Sequence, residues 1–219
     1  MKREINLLDS HPKTVRDYDL RAKEKTAEII AIAKQFGKDF FDGDRKCGYG
    51  GYNYDGRWKS VVKRFKDYYN LAANAAILDI GCGKGFMLAD FKELMPDSAI
   101  AGIDVSKYAI ENAMPQVKPY LKLASAEKLP YPDKSFDLII SINSIHNLPI
   151  ARLKTALKEI QRVCRGDSYI TIDAWRNETE RDNLFKWVLT AETMMHVDDW
   201  KKLFSETGYT GDYWWFIAD

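Results

Sequence analysis

Asp79, Gly81, Gly83 and Gly85 stand at alternate positions in the run Ile77-Leu78-Asp79-Ile80-Gly81-Cys82-Gly83-Lys84-Gly85-Phe86. The apolar stretch 75–80 reads as a buried strand, and Met87, Leu88, Phe91 and Leu94 follow at helical spacing. A strand, a tight glycine turn and a helix N-terminus let backbone approach a nucleotide-like ligand closely. The spacing narrows the ligand. A dinucleotide fingerprint needs glycine at position 86, where Phe86 stands, and a phosphate-binding P-loop needs Ser or Thr after Lys84, where Gly85 stands. A carboxylate at Asp79 would repel a diphosphate and suits a cation.

A second acidic residue, Asp104, ends the next apolar stretch, Ala99-Ile100-Ala101-Gly102-Ile103, and lies 25 residues after Asp79. At a strand tip this far beyond the glycines, a carboxylate accepts both hydroxyls of a ribose. Ser106 is the better candidate to cap the helix that follows, so Asp104 can serve a ligand while Ser106 serves the chain. A third segment, Ala124-Ser125-Ala126-Glu127-Lys128-Leu129-Pro130-Tyr131-Pro132-Asp133-Lys134-Ser135-Phe136-Asp137, leads into the apolar strand 136–141.

Together these segments resemble the class I S-adenosylmethionine (SAM) dependent methyltransferases, in particular the UbiE or type 11 group. Motif I of that family, acidic-x-G-x-G-x-G, is matched by Asp79, Gly81, Gly83 and Gly85. The third segment is similar to the family's G-D-A-E-x-L-P-F-P-D-x-S-F-D. The resemblance covers roughly residues 58–209. It implies that loop 79–85, Cys82 included, wraps the methionine part of SAM, and that Asp104 and Val105 meet the ribose. It also implies that Ser125, Ala126, Glu127 and Asn143 complete the cofactor contacts. Ser125 stands where the family has Asp, so the adenine amino group meets a neutral, weaker acceptor. No metal is required by this reading.

The elements that would position these residues alternate: strands 75–80, 99–103, 120–124, 136–141 and 168–173, with helices 85–94, 106–113 and 150–163 between them. This order predicts an α/β, Rossmann-like, doubly wound and mostly parallel sheet of six or seven strands with helices on both faces. Ligands on such sheets bind beyond the carboxyl ends of the strands, where all three motifs fall. Helices are expected over 17–36, with Gly37 as its C-cap, and over 57–71, 178–189 and 197–206, the last stopped by Gly208. An aromatic strand is expected within 209–218. The seventh strand is either absent or drawn from 192–197.

Residues 1–57 are expected to form an N-terminal helical and aromatic cap, and 58–219 the SAM-binding domain. The cap segment 40–58 mixes glycines with large rings. Tyr49, Tyr52 and Tyr54 on a glycine-hinged loop suit a lid that excludes water and shapes a substrate pocket, and Tyr49 is also a catalytic candidate. The plain alternatives are a surface connection or a homodimer contact. His146, beyond the fourth strand, is a candidate general base, since imidazole titrates near neutrality; the alternative is a structural histidine opening the next helix. Trp175 and Arg176, after the fifth strand, are candidate substrate contacts, Arg176 for a carboxylate or phosphate. His11 and His196 carry no assigned role.

Composition sets the outer limits. A formal net charge of +1, from 33 basic and 32 acidic residues, argues against a dedicated nucleic-acid surface. No run of 18 apolar residues and no apolar leader is present, so neither a membrane partner nor export is expected. Cys47, Cys82 and Cys164 lack metal-type spacing and read as reduced thiols of a cytoplasmic protein. Cys82 is best explained as a small residue fitting the turn rather than as a nucleophile. The expected activity is methyl transfer from SAM to a small-molecule acceptor. The alternatives are cyclisation or lysis of SAM itself, or a non-catalytic SAM-binding subunit.

Overall fold

The computed structural model describes residues 3–12 and 15–219. The N-terminal cap holds α1 (Tyr18–Glu24), α2 (Ala27–Ala33) and α3 (Lys38–Asp42). The sheet domain follows with α4 (Lys59–Tyr68), β1 (Ala76–Ile80), α5 (Phe86–Leu94), β2 (Ala99–Asp104), α6 (Lys107–Glu111), β3 (Leu121–Leu123) and β4 (Phe136–Ile142). It continues with α7 (Ile150–Val163), β5 (Cys164–Trp175), α8 (Glu178–Trp187), β6 (Met195–His196), α9 (Val197–Thr207) and β7 (Asp212–Phe216).

The strands run β3-β2-β1-β4-β5, and the outer edge of β5 carries both β7 and β6. Every strand pairing among the described residues is parallel. β7 pairs Asp212–Phe216 against Tyr169–Asp173 of β5, and β6 takes the last two positions of the same edge, Ala174 and Trp175. The seventh strand is therefore drawn from 192–197. Backbone bonds between Ile5 and Tyr213 (3.0 Å) and between Tyr213 and Arg3 (3.0 Å) lay the N-terminal segment along β7, covering an edge that would otherwise be open.

Alternate residues of the central strands face opposite layers, as the pleat requires. Leu78, Ile80 and Ile139 pack with Leu153, Leu157 and Ile160 of α7 and Trp200 and Phe204 of α9. Ile77, Leu138 and Ile140 pack with Val61, Val62 and Phe65 of α4 and Leu88 and Phe91 of α5. Truncating one of these buried leucines to alanine removes about 2–5 kcal/mol. The sheet is thus held rigid from both faces, and its carboxyl edge is a fixed platform.

The expected helix 17–36 is two helices. Thr26 breaks it in an extended conformation and caps α2, its hydroxyl accepting from the Ile29 N–H at 3.2 Å. Gly37 opens α3 rather than closing α2. Gly208 closes α9 in the left-handed conformation (φ 69°), as expected.

Candidate functional site

The turn after β1 passes directly beneath β2. The N–H groups of Gly81 and Cys82 both donate to the Ile103 carbonyl (2.8 and 3.0 Å), which pins the turn to its neighbour strand. Gly81 adopts φ 80° and Gly83 φ 55°. A Cβ on Gly81 would lie 2.1 Å from Ser144 Oγ, and one on Gly83 would press against the Tyr52 ring at 3.2 Å. Only glycine satisfies both the backbone and the space. Gly85 starts α5 against Val117 and stands behind the turn. The Cys82 thiol is buried, and burial raises its pKa, so it stays protonated and fills the turn.

Asp104 ends β2 with both carboxylate oxygens anchored. Oδ2 accepts from the Gly83 N–H at 2.8 Å and Oδ1 from the Ser106 N–H at 2.7 Å. Each oxygen keeps a lone-pair direction for a further donor. Burial raises its pKa, and the two N–H groups act against that rise. Ser106 caps α6, accepting from the Ala109 N–H at 3.0 Å, while its own hydroxyl donates to Phe36 in the cap at 2.5 Å. Asp79 is buried, and among the described residues no donor reaches its carboxylate. Burial, with the Asp104 charge nearby, pushes its pKa up to about 8.

The cap closes over this turn through a carboxylate that sequence reasoning did not single out. Asp42, at the end of α3, accepts from Lys84 Nζ at 2.7 and 2.8 Å, from the Tyr108 hydroxyl at 2.8 Å and from the Tyr52 N–H at 3.0 Å. Lys84 also donates to the Tyr52 carbonyl at 2.9 Å. One ion pair therefore joins the cap, the glycine turn and α6. In the sequence Lys84 figured only as the lysine of a P-loop pattern that Gly85 breaks; its chemical role appears only when Asp42, 42 residues away, folds onto it.

Aromatic rings continue the closure. Tyr52 stacks on Phe86 with centroids 4.7 Å apart, Tyr49 meets Tyr52 at 4.5 Å, and Phe41 packs against both. Tyr49 and Tyr52 line a cavity of about 330 Å³ together with Gly81, Gly83, Asp104, Val105, Ser125, Ala126 and Asn143. That volume falls in the range of small-molecule sites. Tyr49 keeps 50% of its surface accessible, yet protein crowding around its hydroxyl and the Asp104 charge push its pKa up to about 12. At neutral pH its hydroxyl therefore keeps its proton.

The floor comes from β4 and β5. Asn143 sits at φ 47°, a conformation asparagine tolerates better than most residues. Its N–H donates to the Thr171 carbonyl at 3.0 Å and its side-chain oxygen accepts from the Thr171 hydroxyl at 2.9 Å. His146 lies buried in a short 3-10 turn, Ile145–Asn147. Its Nδ1 accepts from the Asp173 N–H at 3.2 Å, and its Nε2 lies 3.6 Å from Asp173 Oδ2. Burial lowers its pKa, against the pull of Asp173. The ring is thus neutral with its acceptor nitrogen engaged, which removes the lone pair a general base needs. Here the expectation of a catalytic base is corrected to that of a buried, oriented imidazole.

Four further expectations are corrected. Tyr54 turns away from the cavity and donates to Asp90 at 2.5 Å. Trp175 packs on Phe185, and Arg176 is held by Glu180 in an ion pair of 2.8 Å at the start of α8. Glu127 stays outside the lining, accepting from the Ser125 hydroxyl at 2.9 Å and from Arg152. The Ser125 proton is spent there, so its remaining lone pair is what a ligand meets. In place of Trp175 and Arg176, the outer wall is built from Arg21, Arg45, Trp187 and Phe216. None of these carried a local signal in the sequence.

Residues 78–172 match the protein family described as a methyltransferase domain. This segment is a methyltransferase domain. The match runs from β1 through most of β5 and leaves out both the cap and the α8–β7 region of this chain. Among curated relatives, it is 29% identical over 154 residues to a demethylmenaquinone methyltransferase of Symbiobacterium thermophilum, covering 66% of this chain and 60% of that protein. It is 32% identical over 146 residues to a tRNA (carboxymethyluridine(34)-5-O)-methyltransferase of Arabidopsis thaliana, covering 66% of this chain and 34% of that one. The chain thus spans between one-third and three-fifths of these relatives' lengths. The crystal structure of the Bacillus subtilis protein YcgJ shares the fold, with a TM-score of 0.55 and 21% identity over 67% of this chain and 66% of that one. Among the described residues no helix is long and apolar enough to cross a membrane.

Proposed function

We propose that this methyltransferase domain binds SAM across the carboxyl ends of β1, β2 and β4 and transfers its methyl group to a small-molecule acceptor enclosed by the cap. The observation that carries this reading is the buried Asp79 carboxylate, unpartnered among the described residues, beside a turn that only glycine can make. A buried carboxylate without a donor is costly unless a cation arrives. The donor set fits SAM: Asp79 for its positive methionine end, Asp104 for the ribose hydroxyls, and Ser125 with the Ala126 N–H for the adenine.

Bound SAM supplies an electrophilic methyl group, and the chain's residues align and enclose the acceptor. Tyr49 and Tyr52 exclude water and present ring faces to positive charge. His146 acts by position, holding β5 and its own turn against the cavity floor through Asp173. Residues 18–57 serve as a lid, which Asp42 and Lys84 fasten to the cofactor turn, while the segment before them covers the edge of β7. The near-neutral net charge and the roofed cavity favour a small acceptor over a nucleic acid, and the reading places the protein in the cytoplasm.

Calorimetry with SAM, S-adenosylhomocysteine and NAD tests this reading. SAM and S-adenosylhomocysteine are expected to bind and NAD not to. Asp104→Ala is expected to weaken SAM by about 1.5–3 kcal/mol, the scale of hydrogen bonds to a charged group. Unchanged affinity in Asp104→Ala would sink the ribose assignment. Incubation with SAM alone separates methyl transfer from cyclisation or lysis, because a methyltransferase without acceptor leaves SAM intact.

A further inference from the structure

The outer wall of the cavity carries an unusual arrangement of charge. The guanidinium carbons of Arg16, Arg21 and Arg45 lie 5.5, 5.3 and 5.4 Å from the Trp187 ring centroid. All the other arginines form ion pairs with carboxylates. Among the described residues these three form none. Arg21 is 8% exposed and donates only to carbonyls, those of Trp187 (3.2 Å), Arg45 (3.3 Å) and Lys46 (2.9 Å). Arg16 lies 4.6 Å over the Phe216 ring, and its Nε is buried without a partner among the described residues. Asp173 exerts a pull on Arg16 but makes no ion pair with it. Like charges gathered on one indole without an ion pair among the described residues are an expense to the fold unless a ligand neutralises them.

Arg21 and Arg45 line the same cavity as Gly81, Asn143 and His146, with Trp187 and Phe216 between them. We propose that these arginines bind an anionic group, carboxylate or phosphate, on the acceptor, and that Trp187 and Phe216 hold its flat apolar body. The guanidinium fork matches the two oxygens of either anion, and aromatic faces accept both a stacked ring and the edge of a guanidinium. The inference rests on the reading of the cavity as a methyl-transfer site, since it assigns the acceptor to the half that SAM does not fill. The anion would anchor the acceptor at the outer wall and leave its far end for the nucleophile.

The test uses full-length protein with and without saturating S-adenosylhomocysteine, titrated by calorimetry with benzoate, phenyl phosphate and the neutral isostere benzamide. Benzoate or phenyl phosphate is expected to bind at least about ten-fold more tightly than benzamide, weakening as salt is raised. The preference between the two anions tells carboxylate from phosphate. Arg45→Gln, on an exposed side chain, is expected to lose about ten-fold for the preferred anion, and Arg21→Gln, the other arginine of the lining, provides the second variant should Arg45→Gln fold poorly. Equal binding of benzamide, or an undiminished anion affinity in both variants, overturns the proposal. So does binding of bulk tRNA that Arg45→Gln weakens while neither small anion binds. If S-adenosylhomocysteine itself fails to bind, the methyl-transfer reading falls, and the anion titration of unloaded protein still decides the role of the arginines.

Discussion

Along one side of the cavity, from Gly81 to Asn143, the residues facing a ligand are glycines, apolar or small polar side chains and a single anchored carboxylate, all inside the segment 78–172. Across from it stand Arg21 of α1, Arg45 of the cap loop, Trp187 at the end of α8 and Phe216 at the end of β7, all outside that segment. The first wall admits few residue types, because a positive φ and a missing Cβ cannot be replaced by other chemistry. The second needs only rings and charges delivered from separate elements, and many sequences could supply those. The cofactor half is thereby constrained to a recognisable spelling, and the acceptor half is left open to diverge.

The sharpest way to break this contrast is to change one residue in each wall. Gly81→Ala places a Cβ 2.1 Å from Ser144 Oγ at a φ of 80°. A loss of about 2–4 kcal/mol is expected, with SAM binding abolished. Trp187→Phe, on a half-buried ring, is expected to cost less than about 1.5 kcal/mol. Denaturant melts and SAM calorimetry on the two variants check the difference; equal losses would end the distinction between the walls.

Next in size is the pH response of the cofactor half. With its pKa raised to about 8, Asp79 is protonated in the ligand-free fold and ionised in the unfolded chain across the window from about 4 to 8. Its contribution to stability is greatest below that window and is lost as pH rises through it. A cation at Asp79 requires the carboxylate, so SAM binding expels the proton. SAM affinity is expected to rise with pH by up to about ten-fold per unit until pH is near 8. Asp79→Asn should flatten that profile, weaken SAM and raise the melting temperature of the ligand-free protein at neutral pH. A wild-type profile without slope between pH 6 and 8 would show that Asp79 does not meet the cation.

The join between the halves is tested by Asp42→Ala, which leaves Lys84 nearly buried without its counter-charge. Because the Asp42 side chain is 24% exposed, the expected loss is about 1–3 kcal/mol, below that of breaking a fully buried pair. Hydrogen exchange should quicken across α3 and the cap loop and leave β1 and β4 protected. Protection lost evenly over the sheet would mean that the pair holds the whole fold rather than the lid. The smallest effect belongs to Tyr49→Phe. Its hydroxyl has no hydrogen-bond partner among the described residues, so the melting temperature should stay within the change expected for about 0.5 kcal/mol. A several-fold drop in single-turnover rate, measured with an acceptor in hand, would then assign the hydroxyl to the chemistry.

The order of elements and the cofactor half were legible in the sequence for one reason: both are written over short distances. Strand and helix periodicities lie within windows of a dozen residues, and Asp79, the glycines and Asp104 meet their partners at adjacent strand ends. What local pattern left undecided was partnership. Tyr49, Tyr52 and Tyr54 are alike in the sequence, but Asp90 on α5 takes Tyr54 out of the cavity. Arg176 was the nearest arginine to a strand end, yet Glu180 one helical turn away pairs with it, whereas Arg21 and Arg45 form no ion pair among the described residues. The seventh strand, Met195–His196, exists only because the end of β5 offers an open edge. A carboxylate, a ring or a strand edge acts on whatever chain segment folding brings against it. That proximity is set by the packing of the sheet and cap, so only the tertiary structure could decide which arginines remain free to meet a ligand.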